Sequence, residues 1–218
     1  MKFTLIYDGP LPPNPKKRAL YAAKIRNKLH VQMRDLWDNH VLMRQLAHEA
    51  RVYQTPTIMH GGSRQPSVLP DYLELPRSLP SQGMVDLTAP ISVSGVTGSF
   101  LPIVRNSLYL ACGIDILFLR HLEPTHLFEQ SGDIDNRLKC FFDALAIPDA
   151  NQASAGQSAC SDPLCVLLEN DRLISDFALR SGVLLGKSEK DKYDVRIQAD
   201  VTVKVLRVFE GNMCLVGG

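Results

Sequence analysis

Residues 193–208, YDVRIQADVTVKVLRV, place Val195, Ile197, Ala199, Val201, Val203 and Val205 at every second position, mostly with polar or charged residues between. A period of two predicts a strand with one buried face. Residues 112–122, CGIDILFLRHL, set Ile114, Ile116 and Phe118 against Asp115, Leu117 and Leu119. Apolar residues on both sides predict a central strand. A third strand is predicted at 2–7, running into Pro10, Pro12, Pro13 and Pro15. Residues 16–34 follow another period. Ala22, Ile25, Leu29 and Met33 recur at helical spacing and predict a helix, with further helix or a helix pair over 35–53. Leu138, Phe141, Phe142 and Leu145 take the same i, i+3, i+4, i+7 pattern. They predict a helix from about 136 that stops before Pro148.

Between these segments the pattern breaks. Pro56, Gly61, Gly62, Pro66, Pro70, Pro76, Pro80, Gly83 and Pro90 punctuate residues 54–104, which read as an irregular insertion with short strands at 91–96 and 101–104. Residues 149–163 are small and polar and read as a flexible loop. Residues 164–171 read as an apolar strand reaching an acidic tip, and RLISDFALRSG after it fits helix or strand. The expected fold class is α/β (α+β): a mixed β-sheet with flanking helices, in a single domain over 1–218 with those two insertions.

Composition narrows the partners. The 218 residues are 45% hydrophobic and 22% charged, enough for a core without covalent staples. A net charge of +1 excludes attraction to polyanions by bulk charge, so contact with nucleic acid requires a local patch. Residues 14–34 supply one: seven Lys/Arg and no acid until Asp35. Such a run is either a solvated helix face or a cationic strip for phosphates, built from Lys16, Lys17, Arg18, Lys24 and Lys28. The five cysteines include no C-x-x-C pair, and Cys160 and Cys165 lack the second ligand pair of a zinc site. Reduced thiols, no secretory signal and no apolar run of membrane-spanning length lead to the expectation of a soluble, cytoplasmic protein.

The candidate chemistry lies in SGDIDNRLKCFFDAL, 131–145. If an extended connection runs up to Asp135, Asp133 and Asp135 share one side of it. Asp135, Lys139 and Asp143 then follow four apart on one side of the helix. Two neighbouring carboxylates need a proton, a cation or a lysine to offset their repulsion. A hard divalent cation prefers such oxygen ligands, and Mg²⁺ binds through one or two carboxylates plus substrate phosphate. Lys139 would then stand ready for charge developing on phosphorus. The plainer reading has Asp135 capping the helix and Lys139 in an ion pair with Asp135 or Asp143. A second acidic tip, LLENDRLISD, brings Glu169, Asp171 and Asp176 behind an apolar segment, and Asp171 is the candidate third ligand. No P-loop, nucleophile elbow or H-E-x-x-H pattern occurs. A D-x-D site for a nucleotide sugar lacks a nucleotide-binding half before Asp133.

GDIDNRLKCFFDAL followed by ENDRLISD resembles the RusA-type Holliday junction resolvases. That family carries D-x-D-N-x-x-K at a helix start and a later N-D or D-D step with an acid a few residues on. Here these are Asp133, Asp135, Asn136 and Lys139, Phe142-Asp143-Ala144-Leu145 behind them, then Asn170-Asp171 and Asp176. The proline-rich Pro12-Pro13-Asn14 turn before a basic segment is similar as well. The resemblance implies a RusA-like α/β fold, a homodimer, and Mg²⁺-dependent cleavage (Mn²⁺ as a substitute) of branched DNA at four-way junctions. It also implies Asp133, Asp135 and Asp171 as metal ligands and Lys139 as the catalytic lysine. Compact family members carry arginines just before the first acid. This chain has HLFEQSG there. A branched-DNA-binding protein of the same fold without nuclease activity is the alternative that this departure raises.

Overall fold

The computed structural model describes residues 1–54, 59–60, 63–64, 83–121, 133–153, 162–185 and 193–216. The strands are β1 (Lys2–Pro10), β2 (Arg51–Gln54), β3 (Met59–His60), β4 (Ser63–Arg64), β5 (Gly83–Asp86), β6 (Ile91–Ser92), β7 (Ser99–Val104), β8 (Leu110–Arg120), β9 (Leu164–Leu168), β10 (Ile174–Val183) and β11 (Asp194–Val205). The helices are α1 (Arg18–Asn39), α2 (Val41–Glu49), α3 (Asp133–Leu145) and α4 (Ala150–Ala153). The main sheet has the order β1-β11-β8-β10, with β1, β11 and β8 mutually antiparallel and β10 parallel to β8. Helices beside mixed sheets make this an α+β fold.

Alternation explains the two faces of that sheet. Leu5 and Tyr7 on β1, Ile114, Ile116 and Phe118 on β8, and the five apolar residues from Val195 to Val203 on β11 are buried in one cluster with α1 and α3. The intervening residues (Thr4 and Asp8, Asp115, Arg196 and Asp200) form the opposite, open face. There Arg196 pairs with Asp8 at 2.6 Å and Arg180 with Asp115 at 3.2 Å, and Thr4 donates to Asp200 at 2.6 Å.

β9 belongs to a second sheet, β6-β7-β9. All five of its residues are buried, which is why its sequence shows a continuous apolar run and no alternation. The Cys165 backbone N–H donates to Nδ1 of His30 on α1 at 2.9 Å, and Ile147 just past α3 donates to Leu168 at 3.1 Å. β9 is therefore tied to both helices, and its C-terminal end comes out beside α3.

Several boundaries differ from expectation. β1 runs on to Pro10, which an edge strand tolerates because the missing N–H faces away from its partner. The first long helix continues to Asn39, and His40, inside the stretch expected to be helix or a helix pair, is the break: it is extended and its Nδ1 accepts from the Leu42 N–H at 3.2 Å. Residues 51–54 are strand, not helix. The short strands expected at 91–96 and 101–104 appear at Ile91–Ser92 and Ser99–Val104, separated by a turn with Gly95 and Gly98 at φ of +79° and +89°. Within the predicted loop 149–163, Ala150–Ala153 is a helical turn, which the Asp149 carboxylate caps by accepting from Gln152 N–H at 2.7 Å. Residues 154–161 and most of 55–82 lie outside the described residues.

Candidate functional site

α3 begins at Asp133, about three positions earlier than its apolar stripe alone predicts. The connection into Asp135 is therefore not extended, and the same-side argument for the two aspartates does not hold. Positions two apart on a helix sit about 200° apart around its axis. What positions 133 and 135 share is the first turn, where backbone N–H groups lack helical acceptors and negative charge is favoured. The side chain of Asp133 lies outside the described residues.

Asp135 and Lys139 are both exposed and pair at 2.7 Å, four positions apart. Of the two partners open to Lys139, Asp135 is the one it takes. Asp143, one turn further, pairs instead with Arg18 at 2.8 Å. Burial raises its carboxyl above the usual aspartate range, against the pull of Arg18 and Arg26, and the charge of Asp171 adds to the rise.

Asp171 opens a 3-10 turn, Asp171–Leu173, that packs against α3. The three acids of this second tip have separate uses. Glu169 accepts from the backbone and side chain of Asn106, at 2.8 and 3.0 Å, and pins the β7–β8 connection. Asp176 accepts from Ser175 at 2.6 Å and pairs with Lys204 on the open sheet face. Asp171 is exposed, and its carboxylate makes no hydrogen bond or ion pair among the described residues; only its backbone carbonyl is engaged, by the Ile174 N–H. Asn170 explains its presentation: its side chain accepts from the Arg172 N–H at 3.1 Å and turns the chain at the end of β9.

The basic run divides. Lys16, Lys17, Lys24 and Lys28 are exposed. Lys24 lies 5.3 Å from the centre of the Tyr21 ring; Lys28 lies 5.4 Å from that of Tyr7 and donates to the Asp8 carbonyl at 2.8 Å. Arg18, expected in the strip, spends its charge on Asp143. Arg26 is buried, donating to the carbonyls of Asp143 and Ala146 at the end of α3. Beside Lys17 opens a cleft of about 400 Å³ lined by Pro12, Pro13, Asn14, Pro15, Tyr21 and Tyr193. The Arg18 partner of Asp143 and this aromatic cleft carry no local signal in the sequence. The F-D-A-L match pointed at Asp143, but nothing local marks Arg18 as its partner.

Asp135 and Asp171 are accessible oxygen donors on elements in contact, which fits a hard cation in kind. The ion pair engages one oxygen of Asp135 and leaves the other for a second partner. Among the described residues no three His, Cys, Asp or Glu side chains gather into a metal-holding group. The three-acid set is not described as a whole, because it includes Asp133. No protein-family model, no curated protein and no solved structure matches the chain.

Proposed function

We propose a Mg²⁺-dependent, structure-selective endodeoxyribonuclease of RusA type, cutting four-way DNA junctions in recombination or repair. The supporting observation is that the turn presenting Asp171 packs on α3, the helix that carries Asp133 and Asp135 in its first turn and Lys139 in its second, with the charge of Asp171 acting on Asp143 in the third. Bound between these acids, Mg²⁺ would supply a lowered water pKa and a clamp on the scissile phosphate. Asp135 and Asp171 offer the ligand oxygens, with Asp133 the third by resemblance. Lys139, one turn beyond Asp135 and paired with it here, would meet the negative charge growing on the phosphate. Lys16, Lys17, Lys24 and Lys28 guide the arms of the branched DNA by their charge. A homodimer would place one centre on each of two strands.

The test is cleavage of an immobile synthetic four-way junction with Mg²⁺ or Mn²⁺, comparing wild type with Asp135→Asn and Asp171→Asn. Paired nicks from wild type and none from either variant are expected. Full cleavage by both variants would overturn the assignment. The Lys139–Asp135 ion pair favours a second reading, because it neutralises a ligand carboxylate without metal. In that reading the protein binds branched DNA without cutting it, and the same assay would return a shifted band and no nicks.

A further inference from the structure

Among the described residues β10 is an edge strand, paired with β8 along one side only. It is ten residues long and exposed over nearly its whole length. Phe177 is 56% exposed, Leu179 36% and Val183 40%, and Leu185 just beyond is 87% exposed. A long exposed edge is a template for another strand, and single chains blunt it with proline, bulges or charges, lysine above all; the two charges of β10, Asp176 and Arg180, are opposite in sign and so can also pair across such an edge. No proline or lysine occurs in β10, and its irregularity lies at the start, between Ile174 and Asp176.

The strand's faces are well defined beyond that irregularity. Asp176, Ala178 and Arg180 stand beside Gly113, Asp115 and Leu117 on the open face. A Cβ at Gly113 would come within 2.7 Å of the Asp176 carboxylate, so that carboxylate lies directly over it. Phe177 is on the helical side, 5.6 Å from the Phe142 ring of α3 in an edge-to-face contact.

Two copies joined at this edge by a two-fold axis pair antiparallel, with the axis perpendicular to the sheet. Each face then maps onto itself, so the axis passes through a residue position and not between two. Centring on Asp176 or on Arg180 sets like charges opposite each other. Centring on Phe177 or Leu179 leaves both charges opposite uncharged residues. Centring on Ala178 sets Asp176 opposite the partner's Arg180, and Phe177 opposite the partner's Leu179. Within each chain Asp176 already pairs with Lys204, and Arg180 with Asp115. The junction thus strings alternating charges, Lys204, Asp176, the partner's Arg180 and the partner's Asp115, across the open face.

We propose that β10 pairs antiparallel with β10 of a second copy, centred on Ala178, to form one continuous sheet of twice four strands. This pairing provides the two-fold that the nuclease reading calls for. It rests on the strand's own complementarity, and its test reads mass and cross-links, so its failure is distinct from a failure to cut DNA.

The experiment combines sedimentation equilibrium with cysteine cross-linking. Wild type should sediment at twice its 24.2 kDa. Cys112, Cys140 and Cys165 are buried, so Cys160→Ser and Cys214→Ser give a quiet background. In it, Ala178→Cys should form a disulfide-linked dimer on mild oxidation. Ser181→Cys should not, because its two copies would lie about 20 Å apart. Leu179→Lys should yield a folded monomer by circular dichroism. Arg180→Glu, at a more exposed position, should raise the dimer dissociation constant by on the order of tenfold. A monomeric wild type, equal cross-linking at the two positions, or a dimer indifferent to both charge variants would each overturn the pairing.

Discussion

Arg26 joins α1 to α3 with a single side chain. It is 1% exposed, and its guanidinium donates to two carbonyls at the end of α3 that the helix leaves without partners. Burial lowers its pKa to about 10, so it remains charged at neutral pH and complements the negative helix end. Arg26→Met keeps the volume and removes both donors. The expected loss is about 3 kcal/mol, as a lower urea midpoint at unchanged slope. His30 gives a pH signature. Burial lowers its pKa from 6.5, so the folded protein holds it neutral while the unfolded chain takes up a proton first on acidification. Stability should be intact above about pH 6.5 and fall as the pH drops below it toward the folded-state pKa. His30→Asn keeps an acceptor for the Cys165 N–H and should flatten that fall, read by urea unfolding on either side of the transition.

The long helix α1 carries two stripes. Its buried residues, from Ala22 to Trp37, span about 160° of its circumference, and Lys17, Lys24 and Lys28 fall on the opposite side. That placement suits a solvated face and a phosphate-binding strip equally, and salt dependence separates them. Replacing the three lysines by alanine should weaken junction binding and lower the log–log salt slope by about 2–3, with the helix content unchanged. An unchanged slope would remove the strip from the interface. Elements with a strict period were legible in advance: α1, β8 and β11 all formed close to where their apolar spacing put them. α3 was legible in its body but not at its start, because Asp133–Asn136 carry no apolar marker. The sequence of β10 fits helix or strand. ISDFALRSGV obeys neither period, since an exposed edge strand has no face that must be apolar throughout.

At the scale of the molecule, one buried cluster runs from Met1 to Leu215 and includes β1, β7, β8, β9 and β11 with α1, α2 and α3. The buried Asn212 draws the C-terminal turn into it, donating to the carbonyls of Leu108 and Arg207 at 2.8 Å each. A continuous core predicts one cooperative transition. Trp37 is the single tryptophan and lies in this cluster. Its fluorescence and the far-ultraviolet circular dichroism should therefore unfold at the same urea concentration. Separate midpoints would divide the chain into two units.

Local spacing determined the principal strands, the course of the first helix, and the two acidic segments with Lys139 behind the first. Each of these is written in residues a few positions apart, where backbone geometry converts spacing directly into a face. Tertiary structure alone decided the rest. Arg26, one of the seven basic residues of 14–34, meets Ala146 across 120 positions and so lies in the core. Arg18 was drawn to Asp143, and Lys139 was left to Asp135. Asp171, not Glu169 or Asp176, emerged unpaired beside α3. The physical reason is the same in each case: a charged side chain takes the nearest partner that packing brings to it, and packing joins segments whose separation along the chain carries no local signal.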